Sequence, residues 1–253
     1  MKRFLLAYAL GALGLFAPVA AHAGPAADLI SAGDGHDRKF EAPAALEFYL
    51  PAEKLEPDNV ALLLKIARQY RHEMADASSS AEKLRFAKLG TAYAERAISL
   101  NPKQGEAHLS LAISHAKSLG LLGNKEKMAT LRVIKASVDR AIALDPNQDL
   151  AWYILGCWNQ RVTELGGLKR SIAELAYGGL PAADDATAVR CFEKAIALNP
   201  SRCVYYVELG RTHAHLGNDD VARKFIQKGM TMPNTGKDDA ETKQKGRQTL
   251  AGL

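Results

Sequence analysis

Cysteine is scarce in this chain: Cys157, Cys191 and Cys203 are the only three, an odd number, and no two of them form a CxxC pair. That excludes a disulfide-stapled scaffold and a thiolate zinc site. A Cys191–Cys203 bridge remains the one pairing to weigh against three small core fillers, because spacing alone does not fix pairing. The motifs of common chemistry are missing too. The sequence contains no HExxH, no GxSxG, no phosphate-cradling glycine loop and no dinucleotide fingerprint, so neither an enzyme site nor a cofactor is expected. Strong charge of one sign is also absent, the formal balance being +5. So mild a value argues against a dedicated nucleic-acid binder.

Apart from the first residues, no stretch is apolar for long enough to cross a bilayer. The N-terminus itself reads Lys2-Arg3, an uncharged apolar segment from Phe4 to Ala17, Pro18, then Ala21-His22-Ala23. This order of charge, short apolar core and A-x-A triad is that of a secretory signal peptide over residues 1–23, with the mature chain expected to begin near Gly24. An uncleaved N-terminal anchor is the other reading, disfavoured by the short apolar part. No cysteine lies beside the cleavage site, which argues against lipid modification there. Removal of Lys2 and Arg3 lowers the formal balance from +5 to +3. The expected location is outside the cytoplasm, most simply a periplasm.

What the remainder does contain is a repeat. Trp152-x2-Leu155-Gly156, followed by Ala188-x3-Phe192-x2-Ala195-x4-Pro200, places a bulky anchor, a leucine and a small residue on one helix face and Ala, aromatic, Ala on another. That is the tetratricopeptide pattern of an antiparallel helix pair. Three pair endings, Ile98-Ser99-Leu100-Asn101-Pro102, Ile142-Ala143-Leu144-Asp145-Pro146 and Ile196-Ala197-Leu198-Asn199-Pro200, are nearly interchangeable. Units too small to bury their own apolar faces must stack on neighbours, so the expected fold is an all-α solenoid over residues 24–253.

Taken in order, residues 24–57 read as a degenerate first repeat, with a helical pattern over Ala26–Ala32 broken by Gly33-Asp34-Gly35 and Pro51 expected to kink its second helix. Repeats follow over 58–102, 103–146, 147–200 and 201–233, with 234–253 as a capping helix. Asp58-Asn59 offers a helix N-cap. The largest insertion is Leu165–Pro181, in which Leu168, Ile172, Leu175 and Ala176 mark an extra amphipathic helix ended by Gly178-Gly179-Leu180-Pro181.

Histidine offers no metal site at ligand spacing. His36, between Asp34 and Asp37, is expected in a polar turn. His213 and His215 point to different helix faces. His108 and His115 fall at repeat-packing positions, where a buried, hydrogen-bonded ring is the default.

Binding features are better represented. In stacked helix pairs the first helices line the inner surface, and the residues exposed there lie after the small packing residue and one turn later. Those places hold Arg68 and His72, Ile113 and Lys117, Cys157 and Arg161, and Arg211 and His215, with Arg71 thickening the same row. A column of such side chains would favour an acidic peptide, a carboxylate or a phosphate. Ordinary solvated charges, partly neutralised by Glu164 and Glu208, are the alternative. Tyr153, Trp158 and Tyr177 are candidate apolar anchors beside the row or, equally, core residues. The function these features suggest is a non-enzymatic scaffold holding a protein or peptide in a concave, basic-lined groove. Capture of an anionic small molecule or lipid headgroup is the second reading, and a structural subunit of an envelope assembly the third.

Trp152–Pro200, with Leu165-Gly166-Gly167-Leu168-Lys169-Arg170, Ala173 and Tyr177-Gly178-Gly179-Leu180-Pro181 inserted, resembles the regulator of microtubule dynamics family over roughly Val60–Leu253. The insertion is the specific part of the likeness. The resemblance implies a non-catalytic helical-repeat domain acting through binding, and members elsewhere are associated with microtubules and organelle membranes. An exported chain in a periplasm meets no microtubules, so the resemblance is carried over for the fold and not for the named activity.

Overall fold

The computed structural model of the chain describes residues 24–165, 175–176 and 178–253. Among them are eleven α-helices and no strand. They run α1 Pro25–Asp37, α2 Ala42–Leu55, α3 Val60–Asp76, α4 Ser80–Leu100, α5 Gly105–Ser118, α6 Asn124–Leu144, α7 Asp149–Thr163, α8 Asp185–Leu198, α9 Cys203–His215, α10 Asp219–Thr231 and α11 Asp239–Ala251. The expected leader, Leu168 and Ile172 of the expected inserted helix, and Tyr177 lie outside the described residues.

The near-identical pair endings have one physical cause. At each corner the side-chain oxygen of Asn101, Asp145 or Asn199 accepts from the backbone N–H two residues on, at 3.2, 3.0 and 3.3 Å. The proline between cannot extend the helix, and the Asx turn supplies an acceptor for a backbone donor at the corner. Six residues after each proline stands a large polar-tipped side chain. His108 Nε2, Trp152 Nε1 and Tyr206 Oη reach back to the carbonyls of Pro102, Pro146 and Pro200 at 2.9, 2.9 and 3.1 Å. Three chemically different residues thus make the same bond, which stitches each first helix to the end of the preceding pair. His108 is half-buried in making it, as is His115 further along α5, so neither ring is fully enclosed as its repeat position suggested.

In two of the pairs a missing Cβ receives an aromatic ring, and in the last pair Gly210 receives Ile226 instead. A Cβ on Gly156 would come within 2.6 Å of the Phe192 ring, and one on Gly33 within 2.5 Å of the Tyr49 ring. Both rings are completely buried. Burying a ring of this size stabilises by roughly 1.5–3 kcal/mol, which is lost if a side chain holds the helices apart.

This packing overturns one expectation. Gly33-Asp34-Gly35 does not break the first helix, because α1 continues through it to Asp37. Gly33 is the seat for Tyr49, so residues 25–55 form a full helix pair. Pro51 likewise lies inside α2 without ending it. Asn59 caps α3 through its side chain, which accepts from the Leu62 N–H at 3.0 Å. Ser79 and Glu82 make a reciprocal capping box at the start of α4.

Each second helix packs on its own first helix and on the first helix of the next pair, while α3, α5, α7 and α9 also approach one another in sequence. The first helices therefore make a continuous wall. Helix α11 covers the last pair, lying on α9 and α10. All three thiols are free, with Cys191 and Cys203 buried and placed in separate apolar clusters, so the Cys191–Cys203 bridge is not formed. Burial raises both thiols to about 11.

Candidate binding groove

Helix α3 carries Arg68, Arg71 and His72, and its surroundings show how a row of cations is held. Arg68 is paired with Asp37, which also accepts from Gln69 Nε2 at 2.7 Å. Lys65 is paired with Asp34, which accepts from the Tyr49 hydroxyl at 2.6 Å. Burial alone would raise the Asp34 carboxyl; the bonds from Lys65 and Tyr49 outweigh it and hold the group below the usual carboxylate range. Asp34 and Asp37 are available because α1 is helical to its end, the point on which the loop expectation failed. They and His36, which bonds Glu41 at 2.6 Å, are structural partners at the end of α1, not a polar turn.

Among the described residues, Arg71 has no carboxylate partner. Its exposure is 7%, and Nη1 donates to the hydroxyls of Ser110 and Ser114 on α5 at 2.9 and 3.2 Å. Burial, with Arg68 adding repulsion, pulls this guanidinium down to about 10. His72 beside it is pulled down to about 4 by burial and then by the cations Lys237 and Arg71. Its buried Nδ1 has no hydrogen-bond partner among the described residues.

Lys117, on the last turn of α5, is met by a residue far away in the chain. Its Nζ donates to both oxygens of Asp238 at 2.7 and 2.8 Å. The adjacent Lys237 pairs with Asp76, the last residue of α3. The segment leading into α11 thus spans from the end of α3 to the end of α5. It is shaped by Asp239, fully buried, whose carboxylate accepts from the N–H groups of Thr235 and Gly236 at 2.7 and 2.8 Å.

At the other end of the wall, Arg211 donates to Glu208 at 2.5 Å and approaches Glu164 at 4.0 Å. His215 pairs with Asp185 at 2.8 Å. Arg161 is exposed and has no ion-pair partner among the described residues. Tyr153 is half-buried and packs on the core: its ring lies 6.0 Å from Phe192 and 5.1 Å from Tyr205, and burial raises its hydroxyl well above the ordinary tyrosine range. Trp158 is a core residue, 2% exposed, with Nε1 donating to Leu131 O at 2.8 Å.

The expected row is therefore present as a set of positions but is not a column of free cations. Arg68, Lys117, Arg211 and His215 each face an acidic residue, and Arg71 faces two hydroxyls. Arg71, His72 and Lys117 lie around the segment Lys237-Asp238, Arg68 pairs back to α1, and Arg211 and His215 form a separate group on α9. Glu208 and Glu164 neutralise Arg211, as one of the two sequence readings anticipated. Asp37, Asp185 and Asp238 escaped sequence reasoning because each comes from a different helix pair or from the C-terminal cap. Ser110 and Ser114, one helical turn apart on α5, carried a legible signal: two small hydroxyls on one buried face require a partner. Among the described residues, no group of His, Cys, Asp or Glu side chains could hold a metal ion, and no helix is long and apolar enough to cross a membrane.

The fold has clear counterparts. A thermophilic TPR protein of Thermus thermophilus superposes with a TM-score of 0.65 at 13% identity, covering 89% of this chain and 99% of that one. This identifies the fold as a tetratricopeptide-type solenoid of stacked helix pairs. In sequence, regulator of microtubule dynamics protein 3 of Xenopus laevis is 28% identical over 186 residues, 73% of this chain and 40% of that protein. Regulator of microtubule dynamics protein 2 of Homo sapiens is 25% identical over 221 residues, 86% of this chain and 54% of that protein. Regulator of microtubule dynamics protein 1 of Mus musculus is 28% identical over 204 residues, 78% of this chain and 66% of that protein. The chain thus spans about half the length of such relatives. The model of regulator of microtubule dynamics proteins 1–3 matches residues 26–253, so this chain belongs to that family.

Proposed function

We propose that this protein is an exported, non-enzymatic scaffold that holds an acidic segment of a protein partner along the wall formed by α3, α5, α7 and α9. The observation that carries the reading is Arg71: a guanidinium only 7% exposed in the wall, with hydroxyls and no carboxylate bonded to it. A buried cation without a counter-ion is costly for the fold, and an incoming anion offsets that cost. Exposed Arg161 extends the positive potential along the first helices. The name shared by the relatives describes those proteins, and nothing in the wall depends on it.

The test is binding of acidic peptides to a variant carrying Arg161→Glu with Arg211→Gln, the second chosen so that Glu208 meets no added negative charge. Affinity should fall about tenfold near 0.1 M salt and the difference should close near 1 M, where the screening length shrinks to about 3 Å. An unchanged affinity at low salt rejects the role of these cations. Export is checked by the intact mass of the protein recovered from the envelope fraction, which should begin near Gly24; a retained leader rejects it.

A further inference from the structure

The end of the chain places a carboxylate where a ligand's carboxylate would go. Asp238 grips Lys117 with both oxygens across 121 residues of sequence. Its charge also acts on Arg71, which Ser114 links to the turn of α5 just before Lys117. Among the described residues, the ion pair holding the segment at its other side is Lys237 with Asp76, whose carboxylate is more than half exposed, and Asp238 is half exposed as well. In both pairs the carboxylate faces solvent while the lysine is mostly covered, 23% and 18% exposed, and ion pairs open to water on one side are individually weak. The backbone turn before them is firmly built by contrast, since Asp239 ties Thr235 and Gly236. The result is a pre-shaped arm attached through contacts that an acidic competitor could replace.

We propose that Lys117 forms a carboxylate subsite, with buried Arg71 adding positive potential behind it, whose resident occupant is Asp238, so that an acidic peptide binds by displacing the Lys237-Asp238 arm from α3 and α5. This rests on the peptide-binding reading above and adds to it a named subsite and a built-in competitor. The apparent affinity of such a site is reduced by the fraction of molecules with the arm in place. Loosening the arm therefore tightens binding without any new contact to the ligand.

Lys237→Gln separates this arrangement from simple electrostatics, because the two predict opposite signs. Removing a cation near the wall weakens an acidic ligand if only net charge matters. Removing the Lys237–Asp76 pair strengthens it if the arm competes. In fluorescence anisotropy at low salt with a labelled hexaglutamate peptide, the full chain carrying Lys237→Gln should bind about threefold tighter than the unmodified protein. Asp238→Asn should tighten binding as well, and adding Arg71→Gln to Lys237→Gln should abolish the gain. Thermal melts of each variant establish that it is folded, and Lys237→Gln alone decides the matter if Arg71→Gln is not. Equal or weaker binding by Lys237→Gln, with the unmodified protein still binding, overturns the arm while leaving the groove reading intact. No binding by any of the proteins overturns the groove reading and the subsite with it.

Discussion

His72 makes stability sensitive to mild acid, and the size of the effect follows from its surroundings. The ring is packed on α3 with the Phe40 ring edge-on at 5.8 Å, and its Nδ1 is buried without a partner. Burial, then Lys237, Arg71 and Lys117, disfavour the imidazolium, against which only Asp37 pulls. The folded state thus takes up its proton near pH 4, whereas the unfolded chain takes it up near the ordinary value of 6.5. Between these values the unfolded state binds more protons, so stability falls as pH drops from about 6.5 toward about 4. At about 1.4 kcal/mol per pH unit the loss by pH 4.5 amounts to roughly 2 kcal/mol. His115 and His213, both shifted down by burial, add slope of the same sign. The variant His72→Gln isolates one contribution. Urea midpoints measured at about pH 7, 6, 5 and 4.5 should fall less steeply for the variant than for the unmodified protein, the curves differing by about 2 kcal/mol in their total change. Parallel curves would show that the ring is protonated in the folded protein at an ordinary pH, and the reasoning from burial would be refuted.

Other predictions concern the packing of the repeats. Phe192→Ala empties the space against Gly156 and should cost about 3–5 kcal/mol, read as a lower urea midpoint; a loss under about 1 kcal/mol would mean that the ring is not the wedge between α7 and α8. Trp152→Phe keeps most of the ring but removes the donor to Pro146 O, and should cost about 1 kcal/mol in thermal or urea melts. A Trp152→Phe variant as stable as the parent would deny that this bond stitches successive pairs.

The architecture was legible in the chain because its determinants are local and repeated. A bulky residue and a small residue one turn on recur at fixed spacings, joined in the first and fourth pairs by an aromatic on the partner helix, and each Asn/Asp-Pro corner ends its helix with its own side chain. Where that local grammar misled, a distant contact had priority. Gly33-Asp34-Gly35 reads as a break, yet Tyr49 needs the bare backbone of Gly33, and burying that ring outweighs the poor helix propensity of two glycines, roughly 2 kcal/mol in all. Tyr153 and Trp158 could have stood on either side of the wall; packing on Phe192 and Tyr205 turned Tyr153 against the core, and the bond to Leu131 set Trp158 within it.

The charges divide differently. Sequence periodicity located Arg68, Arg71, His72, Lys117, Arg211 and His215 on the first helices, because helical register is a property of neighbours in the chain. Which of them are neutralised depends on Asp37, Asp185, Glu208 and Asp238, and on how far the solenoid turns before its C-terminal arm arrives at α3 and α5. Superhelical geometry is the sum of every helix crossing, so a pairing such as Lys117 with Asp238 has no local signature. Register is written in the order of the residues, while charge balance is settled only where segments from opposite ends of the chain meet.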